Sequence, residues 1–143
     1  MTRPRTGMTL SELLIVVVVV GILAAVAIPS YTKAIERSYR RQAQDLLLTI
    51  YDGERVYFFS ENEYKGGLRD ASPSSDWRAI FTDNPNFGGI PVTFKVDAFG
   101  PPATFLATAM RNGSGATMSI TEQRDWCGVP GNNDPSNCPG WPP

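Results

Sequence analysis

Few residues of this 143-residue chain have side chains that could take part in catalysis. The side chains that are missing exclude most enzyme mechanisms. The chain contains no histidine, which removes the commonest general base, the Ser-His and Cys-His nucleophile pairs and the usual zinc and iron ligands. Glu61 and Glu63 are the only close acidic pair outside the predicted helix, and we interpret them as solvated loop residues. The sequence therefore predicts a protein that is not an enzyme and uses no cofactor.

Oxygen-bearing side chains cluster near the C-terminus, at Asn132, Asn133, Asp134 and Asn137. Such oxygens suit calcium, but only one of these residues is a carboxylate and the EF-hand spacing is missing. A turn-forming loop explains these residues better, so the sequence predicts no metal site.

The overall charge is nearly balanced, with thirteen basic and fourteen acidic side chains. General electrostatic binding to nucleic acid needs a basic surplus or a basic face. Lys33, Arg37, Arg40 and Arg41 form a small basic cluster, which could contact lipid headgroups, acidic neighbours or DNA. Acidic residues interleave with this cluster, so we predict a solvated helix face and no specific nucleic-acid partner.

The most unusual residue is Glu12, which precedes sixteen apolar residues, Leu13 to Ile28. A helix from Met8 to Ile28 is about 31 Å long, which matches the hydrocarbon core of a bilayer. A secretory signal cut near Ala24–Ala27 is the alternative. A carboxylate is costly in lipid and useless in a disposable signal, so we expect Glu12 to have a partner.

Two helical segments are predicted to meet at Pro29, which has no N–H and either ends or kinks the first helix. The second segment runs from about Ser30 to Ser60 and is amphipathic. Its apolar stripe consists of Ile35, Tyr39, Ala43, Leu46, Leu47, Ile50 and Tyr57. Such a stripe needs a sheet or another layer to cover it.

Residues 61–91 are rich in turn formers and predict a long surface connection, which could include one helical turn. We expect Trp77, Ile80 and Phe81 to pin it to the core. Three runs with strand chemistry follow, at Val92–Asp97, Thr104–Met110 and Ala116–Thr121. The predicted fold class is α+β, with a long N-terminal helix packed on a small antiparallel sheet.

The order of basic leader, glycine, glutamate, apolar run and proline resembles the type IV pilin family, which includes the type II secretion pseudopilins. Gly7-Met8-Thr9-Leu10-Ser11-Glu12-Leu13-Leu14 is similar to the class III signal of that family, and Gly21 and Pro29 lie where its helices carry helix-weakening residues. The close resemblance covers residues 6–31. Met8 departs from the phenylalanine that the family favours at this position.

The resemblance implies a processing and assembly mechanism. Arg3 and Arg5 would hold the leader, residues 1–7, in the cytoplasm. The membrane peptidase of the family would cut after Gly7 and methylate the new amino group of Met8. Residues 8–29 would then form the membrane and fibre-core helix, with Glu12 paired to the terminal ammonium of a neighbouring subunit. Residues 30–143 would form the amphipathic helix and globular head.

Cys127 and Cys138 enclose ten residues, and in an exported domain two cysteines most simply form one disulfide. The resemblance adds that many pilins expose such a C-terminal loop for contacts. A staple that pins the tail to the sheet is the interpretation that we favour. Trp126 and Trp141 flank the loop, and we expect them to cover the sheet.

The predicted function is a structural one, as the prepilin of a type IV pilus. The implied partners are other copies and other pilins, the prepilin peptidase/methyltransferase, the inner membrane before assembly and the pilus assembly machinery. The chain would move from the inner membrane to an extracellular pilus. The alternatives are a pseudopilin of a type II secretion system and a membrane-anchored adhesion module that never polymerises.

Overall fold

The computed structural model describes residues 7–138, 140 and 141, so that Arg3 and Arg5 lie outside the described residues. The regular elements are α1 (Leu10–Glu61), α2 (Ser74–Arg78), β1 (Val92–Phe99), β2 (Thr104–Arg111) and β3 (Thr117–Thr121). Short 3-10 turns lie at Pro85–Phe87 and Pro135–Asn137. The strands form one antiparallel sheet in the order β1-β2-β3. The predicted α+β class is confirmed, although β1 extends further than predicted and β3 begins one residue later.

Helix α1 continues through Pro29, so of the two outcomes predicted there, an end or a kink, the end does not occur. Proline removes one main-chain hydrogen bond, and the flanking hydroxyls add side-chain bonds. Ser30 Oγ donates to the Val26 carbonyl at 3.2 Å, and Thr32 Oγ1 donates to the Pro29 carbonyl at 3.0 Å. The helical patterns on both sides, apolar before Pro29 and amphipathic after it, keep the helix continuous through this one unfavourable position.

The chain divides into two compact units, one ending at Ile35 and the other starting at Glu36. The first unit consists mainly of the apolar part of α1. Its large apolar side chains between Leu13 and Ile28 are 48% to 67% exposed. By length and composition, α1 contains a segment able to cross a membrane, and none of that segment is buried. A signal sequence passes the same test.

In the second unit, one face of the sheet and one stripe of α1 form the core. Ala43, Leu47 and Ile50 are the buried apolar residues that α1 contributes. The middle strand places small Ala107 and Ala109 between larger neighbours, which leaves room for the side chains that cover this face. The large inner-face residues of the sheet are Val92, Phe94, Val96, Phe105, Met118 and Ile120.

The connection between α1 and β1 is packed against the helix. Trp77 and Ile80 are fully buried, as predicted, but Phe81 is 73% exposed and does not pin the connection to the core. A Cβ at Gly53 would lie 2.0 Å from the Ile80 carbonyl oxygen, so only glycine fits at this position of the helix. The Phe81 prediction failed because its backbone is left-handed (φ 59°), which turns the side chain away from the core that holds its neighbours.

Candidate functional site

Gly7 and Met8 lie just before the first turn of α1, in an exposed segment without regular structure. A Cβ at Gly7 would meet no atom within 4 Å, and the backbone there is not left-handed. Met8 is 63% exposed. Nothing in the described fold therefore requires glycine at position 7, and processing between these residues stays a prediction.

Glu12 has a partner within its own chain, because it forms a capping box with Thr9. The Glu12 carboxylate accepts a hydrogen bond from the Thr9 main-chain N–H at 2.9 Å and another from its hydroxyl at 2.8 Å. The Thr9 hydroxyl in turn accepts from the Glu12 N–H at 3.3 Å. This reciprocal pattern satisfies the unpaired N–H groups of a helix N-terminus. The sequence signal that predicts this cap is a threonine three residues before a glutamate and an apolar run.

Gly21 lies in the apolar half of α1, and a Cβ there would meet no atom within 4 Å. A mid-helix glycine is about 1 kcal/mol less favourable than alanine. Pro29 is unfavourable for a different reason, since it removes a helical hydrogen bond. No contact of the described chain explains either residue, so their predicted roles in kinking the helix or making it flexible stay predictions.

The predicted disulfide between Cys127 and Cys138 is present, with the two Cα atoms 5.4 Å apart. Trp126 and Trp141 are nearly completely buried and belong to the core, as expected for side chains that cover the sheet. The Cys127 N–H donates to the Ser119 carbonyl at 2.8 Å, which attaches the loop to β3. The disulfide loop therefore holds the C-terminal segment against the sheet, as predicted.

Arg40 ties the disulfide loop to α1. Its guanidinium donates to the carbonyls of Pro135 and Ser136, at 3.2 and 2.7 Å. The prediction of a solvated basic face is therefore correct for the exposed Arg37 and Arg41 and wrong for Arg40. The spacing of Arg40 to the buried Ala43, three residues on, is the sequence signal that could have found this contact.

The amides and carboxylates near the disulfide hold turns, as predicted. Asn132 Oδ1 accepts from the Asp134 N–H at 3.2 Å, and Asp134 Oδ1 accepts from the Ser136 N–H at 2.7 Å. The bonds from Ser136 lower the pKa of Asp134 below its ordinary value. Within the described residues, no three acidic or cysteine side chains come close enough to hold a metal ion.

A two-point ion pair joins α1 to the end of β2. The Arg111 guanidinium donates to Glu36 at 2.6 and 3.1 Å and lies 5.1 Å from the centre of the Tyr39 ring. Both charged side chains are less than one-third exposed. The hydrogen bonds from Arg111 lower the pKa of Glu36, and those same bonds raise the pKa of Arg111.

Glu54 is fully buried in the helix face that covers the core. Its Oε2 accepts from the Lys65 N–H at 2.8 Å, and Oε1 has no partner among the described residues. Burial raises the pKa of Glu54 to about 7, against the opposing effect of Lys65. The sequence prediction overlooked this residue, although it lies between Ile50 and Tyr57 on the same stripe.

Known proteins are similar to this chain in its N-terminal segment and, for some relatives, over a longer part of the chain. Residues 2–28 match the family described as the prokaryotic N-terminal methylation motif. The type IV major pilin protein PilA of Myxococcus xanthus is 41% identical over 63 residues, which are 43% of this chain and 29% of that protein. The type IV major fimbrial protein FimA of Dichelobacter nodosus is 33% identical over 106 residues.

That FimA match covers 66% of this chain and 64% of FimA. A second FimA of Dichelobacter nodosus is 37% identical over 92 residues, 56% of this chain and 54% of that protein. The chain thus spans less than two thirds of the length of each of these relatives. No solved structure matches it. The methylation motif and these relatives show that the chain is similar to type IV pilins, and they support the resemblance found in the sequence.

Proposed function

We propose that this chain is a structural subunit of a type IV pilus. The observation that carries the proposal is Glu12, a lone carboxylate at the start of an exposed apolar helix. The relatives are a type IV major pilin and a type IV major fimbrial protein, which supports the same function. In this role the chain is a substrate of enzymes and is not itself an enzyme.

Processing is proposed to occur between Gly7 and Met8. A membrane peptidase cuts after Gly7, and a methyl group is then added to the new amino group of Met8. Two features support this step. The Gly7–Met8 bond is exposed and lies outside the helix, and residues 2–28 match a methylation motif.

Assembly is proposed to transfer the Glu12 carboxylate from a partner in its own chain to a partner in a neighbour. Before assembly the carboxylate accepts two hydrogen bonds from Thr9. In the filament the apolar helices pack together, and the terminal ammonium of a neighbouring Met8 becomes the counter-ion. A charge left alone in an apolar core is strongly unfavourable, so this pair selects one register of the helices.

The chain is proposed to reside first in the inner membrane, with the second unit outside the cytoplasm, and afterwards in an extracellular filament. The exposed apolar part of α1 suits both environments, because lipid and neighbouring helices each remove it from water. Its partners are other copies, other pilins, the peptidase that methylates it and the assembly machinery.

A pseudopilin of a type II secretion system is the second candidate, since it requires the same N-terminal segment. The C-terminal disulfide and the similarity to pilus and fimbrial proteins favour the pilus. A membrane-anchored adhesion module that never polymerises is the third candidate, and Glu12 discriminates it from a filament subunit.

The test replaces Glu12 by alanine and uses Glu61→Ala as the control, because Glu61 is an exposed carboxylate at the opposite end of the same helix. We expect Glu12→Ala chains to reach the membrane and to be cut, but to yield no filaments on shearing. The control should assemble normally. Ordinary amounts of filament from the Glu12→Ala strain would contradict the proposed function and indicate a simple anchor.

A further inference from the structure

The turn between β2 and β3 contains the only Asn-Gly pair of the chain, Asn112–Gly113. Both residues are exposed, and Gly113 has a left-handed backbone with φ 92°. Asparagine is one of the chemically labile residues of proteins, because its side-chain carbonyl carbon lies close to the main-chain nitrogen of the next residue. Attack by that nitrogen closes a five-membered ring, and glycine hinders the attack least because it has no side chain.

The attacking nitrogen of Gly113 is free in the folded chain. The Asn112 N–H donates to the Pro91 carbonyl at 2.9 Å, and the Gly115 N–H donates to the Arg111 carbonyl at 3.0 Å. Between these two bonds, the Gly113 N–H donates to no described residue. Loss of its proton to water therefore breaks no hydrogen bond of the turn.

The attacked group, the side-chain carbonyl of Asn112, is already polarised. Its Oδ1 accepts a hydrogen bond at 2.8 Å from the hydroxyl of Thr93, which lies on the neighbouring strand β1. Negative charge develops on this oxygen when the ring closes, and a donor that is in place beforehand stabilises such a charge.

Arg111 acts on the attacking side of the same reaction. Its guanidinium donates to the main-chain carbonyl of Asn112 at 3.0 Å. That carbonyl belongs to the same peptide group as the Gly113 nitrogen. The hydrogen bond draws electron density from this peptide group, and the N–H of Gly113 therefore loses its proton more easily.

We propose that Asn112 deamidates in the folded chain, with the Thr93 hydroxyl as the donor that promotes the reaction. The deprotonated Gly113 nitrogen forms a bond with Cγ of Asn112. The bond from Cγ to Nδ2 then breaks, and ammonia leaves after taking a proton from water. A water molecule opens the cyclic imide at one of its two carbonyl carbons. The amide and one water molecule thus become a carboxylate and an ammonium ion, without an oxidant or an enzyme.

The two ways of opening the ring affect the turn differently. Opening at Cγ gives aspartate, whose carboxylate still accepts from Thr93 in a stronger, charge-assisted hydrogen bond. Opening at the main-chain carbon gives isoaspartate, which adds one methylene group to the main chain. The Arg111 N–H closes this turn by donating to the Ala116 carbonyl at 2.8 Å, so isoaspartate loosens it. These steps involve the second unit alone and do not depend on the proposed function.

The test follows the loss of the amide in full-length chains kept in detergent micelles, by peptide mapping with mass spectrometry. Asn62 and Asn133 are internal controls, because they are exposed asparagines that precede the larger residues Glu63 and Asp134. We expect Asn112 to convert at least roughly tenfold faster than either control. Its rate should rise at mildly alkaline pH, where more of the attacking nitrogen is deprotonated. Equal rates at the three positions would overturn the inference.

Two substitutions at position 93 separate the effect of the fold from that of the dipeptide. Thr93→Val keeps the shape of the side chain and removes the donor, whereas Thr93→Ser keeps a hydroxyl. We expect conversion of Asn112 to slow roughly tenfold in Thr93→Val and to stay near the wild-type rate in Thr93→Ser. A Thr93→Val chain that converts as fast as the wild type, or a Thr93→Ser chain as slow as Thr93→Val, would overturn the role of the Thr93 hydroxyl.

Discussion

The Glu12 carboxylate accepts two hydrogen bonds from Thr9, from its main-chain N–H at 2.9 Å and from its hydroxyl at 2.8 Å. The residue proposed to join neighbouring subunits is therefore already fixed in orientation at the first turn of its own helix. The same bonds satisfy N–H groups that a helix N-terminus leaves unpaired. Thr9 therefore both caps α1 and orients the carboxylate that is proposed to bind a neighbouring subunit.

Replacing Thr9 by alanine removes the hydroxyl from the capping box. Loss of an N-cap weakens the first turn by about 1 kcal/mol, which corresponds to roughly fivefold faster amide exchange at residues 10–14. Hydrogen exchange of the full-length chain in detergent micelles measures this change. Thr9→Ser keeps a hydroxyl and is the control, and equal exchange in the two variants would contradict the capping role.

The ion pair between Glu36 and Arg111 is expected to stabilise the second unit by about 1 kcal/mol. A double-mutant cycle with Glu36→Gln and Arg111→Met measures the coupling by urea unfolding. The pKa of Glu36 is lowered in the folded state, so this contribution is present above the unfolded value of about 4.3. The contribution of the ion pair is lost as the pH falls through the lower pKa that Glu36 has in the folded state. A coupling energy that does not decrease in acid would contradict the assignment.

For Glu54 we predict that the free energy of unfolding depends on pH in the opposite direction. Its folded pKa is raised to about 7, while the unfolded value is about 4.3. The folded state therefore binds more protons, and stability decreases as the pH rises through this window. The difference between the ends of the window is on the order of 3 kcal/mol.

Urea unfolding of the wild-type chain and of Glu54→Gln, at several pH values from 4 to 8, tests this prediction. Glutamine keeps the shape of the side chain and cannot ionise, so the decrease should be absent in the variant. Glu61→Gln serves as the exposed control and should retain the wild-type slope. The same slope in all three chains would show that another group causes the dependence.

Two glycines of α1 form a matched pair with opposite expectations. The alanine Cβ of Gly53→Ala would lie 2.0 Å from the Ile80 carbonyl oxygen, whereas that of Gly21→Ala would meet nothing within 4 Å. We expect Gly53→Ala to destabilise the second unit by about 2 kcal/mol or more. Gly21→Ala should leave its unfolding unchanged, because it lies in the other unit. Equal urea midpoints for the two variants would contradict the close approach of Ile80.

Local patterns were sufficient to predict the helix, the three strands and the disulfide. The period of the apolar residues along α1 and the alternation in β1 and β3 depend on neighbouring residues only. Two cysteines allow a single pairing, so Cys127–Cys138 needed no further information. The continuation of α1 through Pro29 needed further information, because the local effect of proline competes with a long apolar run before it and an amphipathic helical pattern after it.

The outcomes at Arg40 and Glu54 depend on contacts between distant parts of the sequence. Arg40 binds carbonyls about 95 residues further along the chain, and its spacing to the buried Ala43 indicates a position near the core but does not identify this partner. Glu54 is buried because the segment near Lys65 folds back over the helix. Phe81 is exposed because of one left-handed backbone angle. The outcomes at Glu54 and Phe81 depend on how the connection after α1 packs, and the outcome at Arg40 depends on how the disulfide loop packs; periodicity describes neither.

The central claim is that the apolar helix is retained, freed at Met8 and packed with copies of itself. Mass spectrometry of intact chains from sheared surface filaments tests it most directly. The account predicts a dominant chain that begins at a methylated Met8 and keeps all of α1. A native chain that starts at Met1, or one cut after Ala27 and lacking the apolar segment, would contradict it.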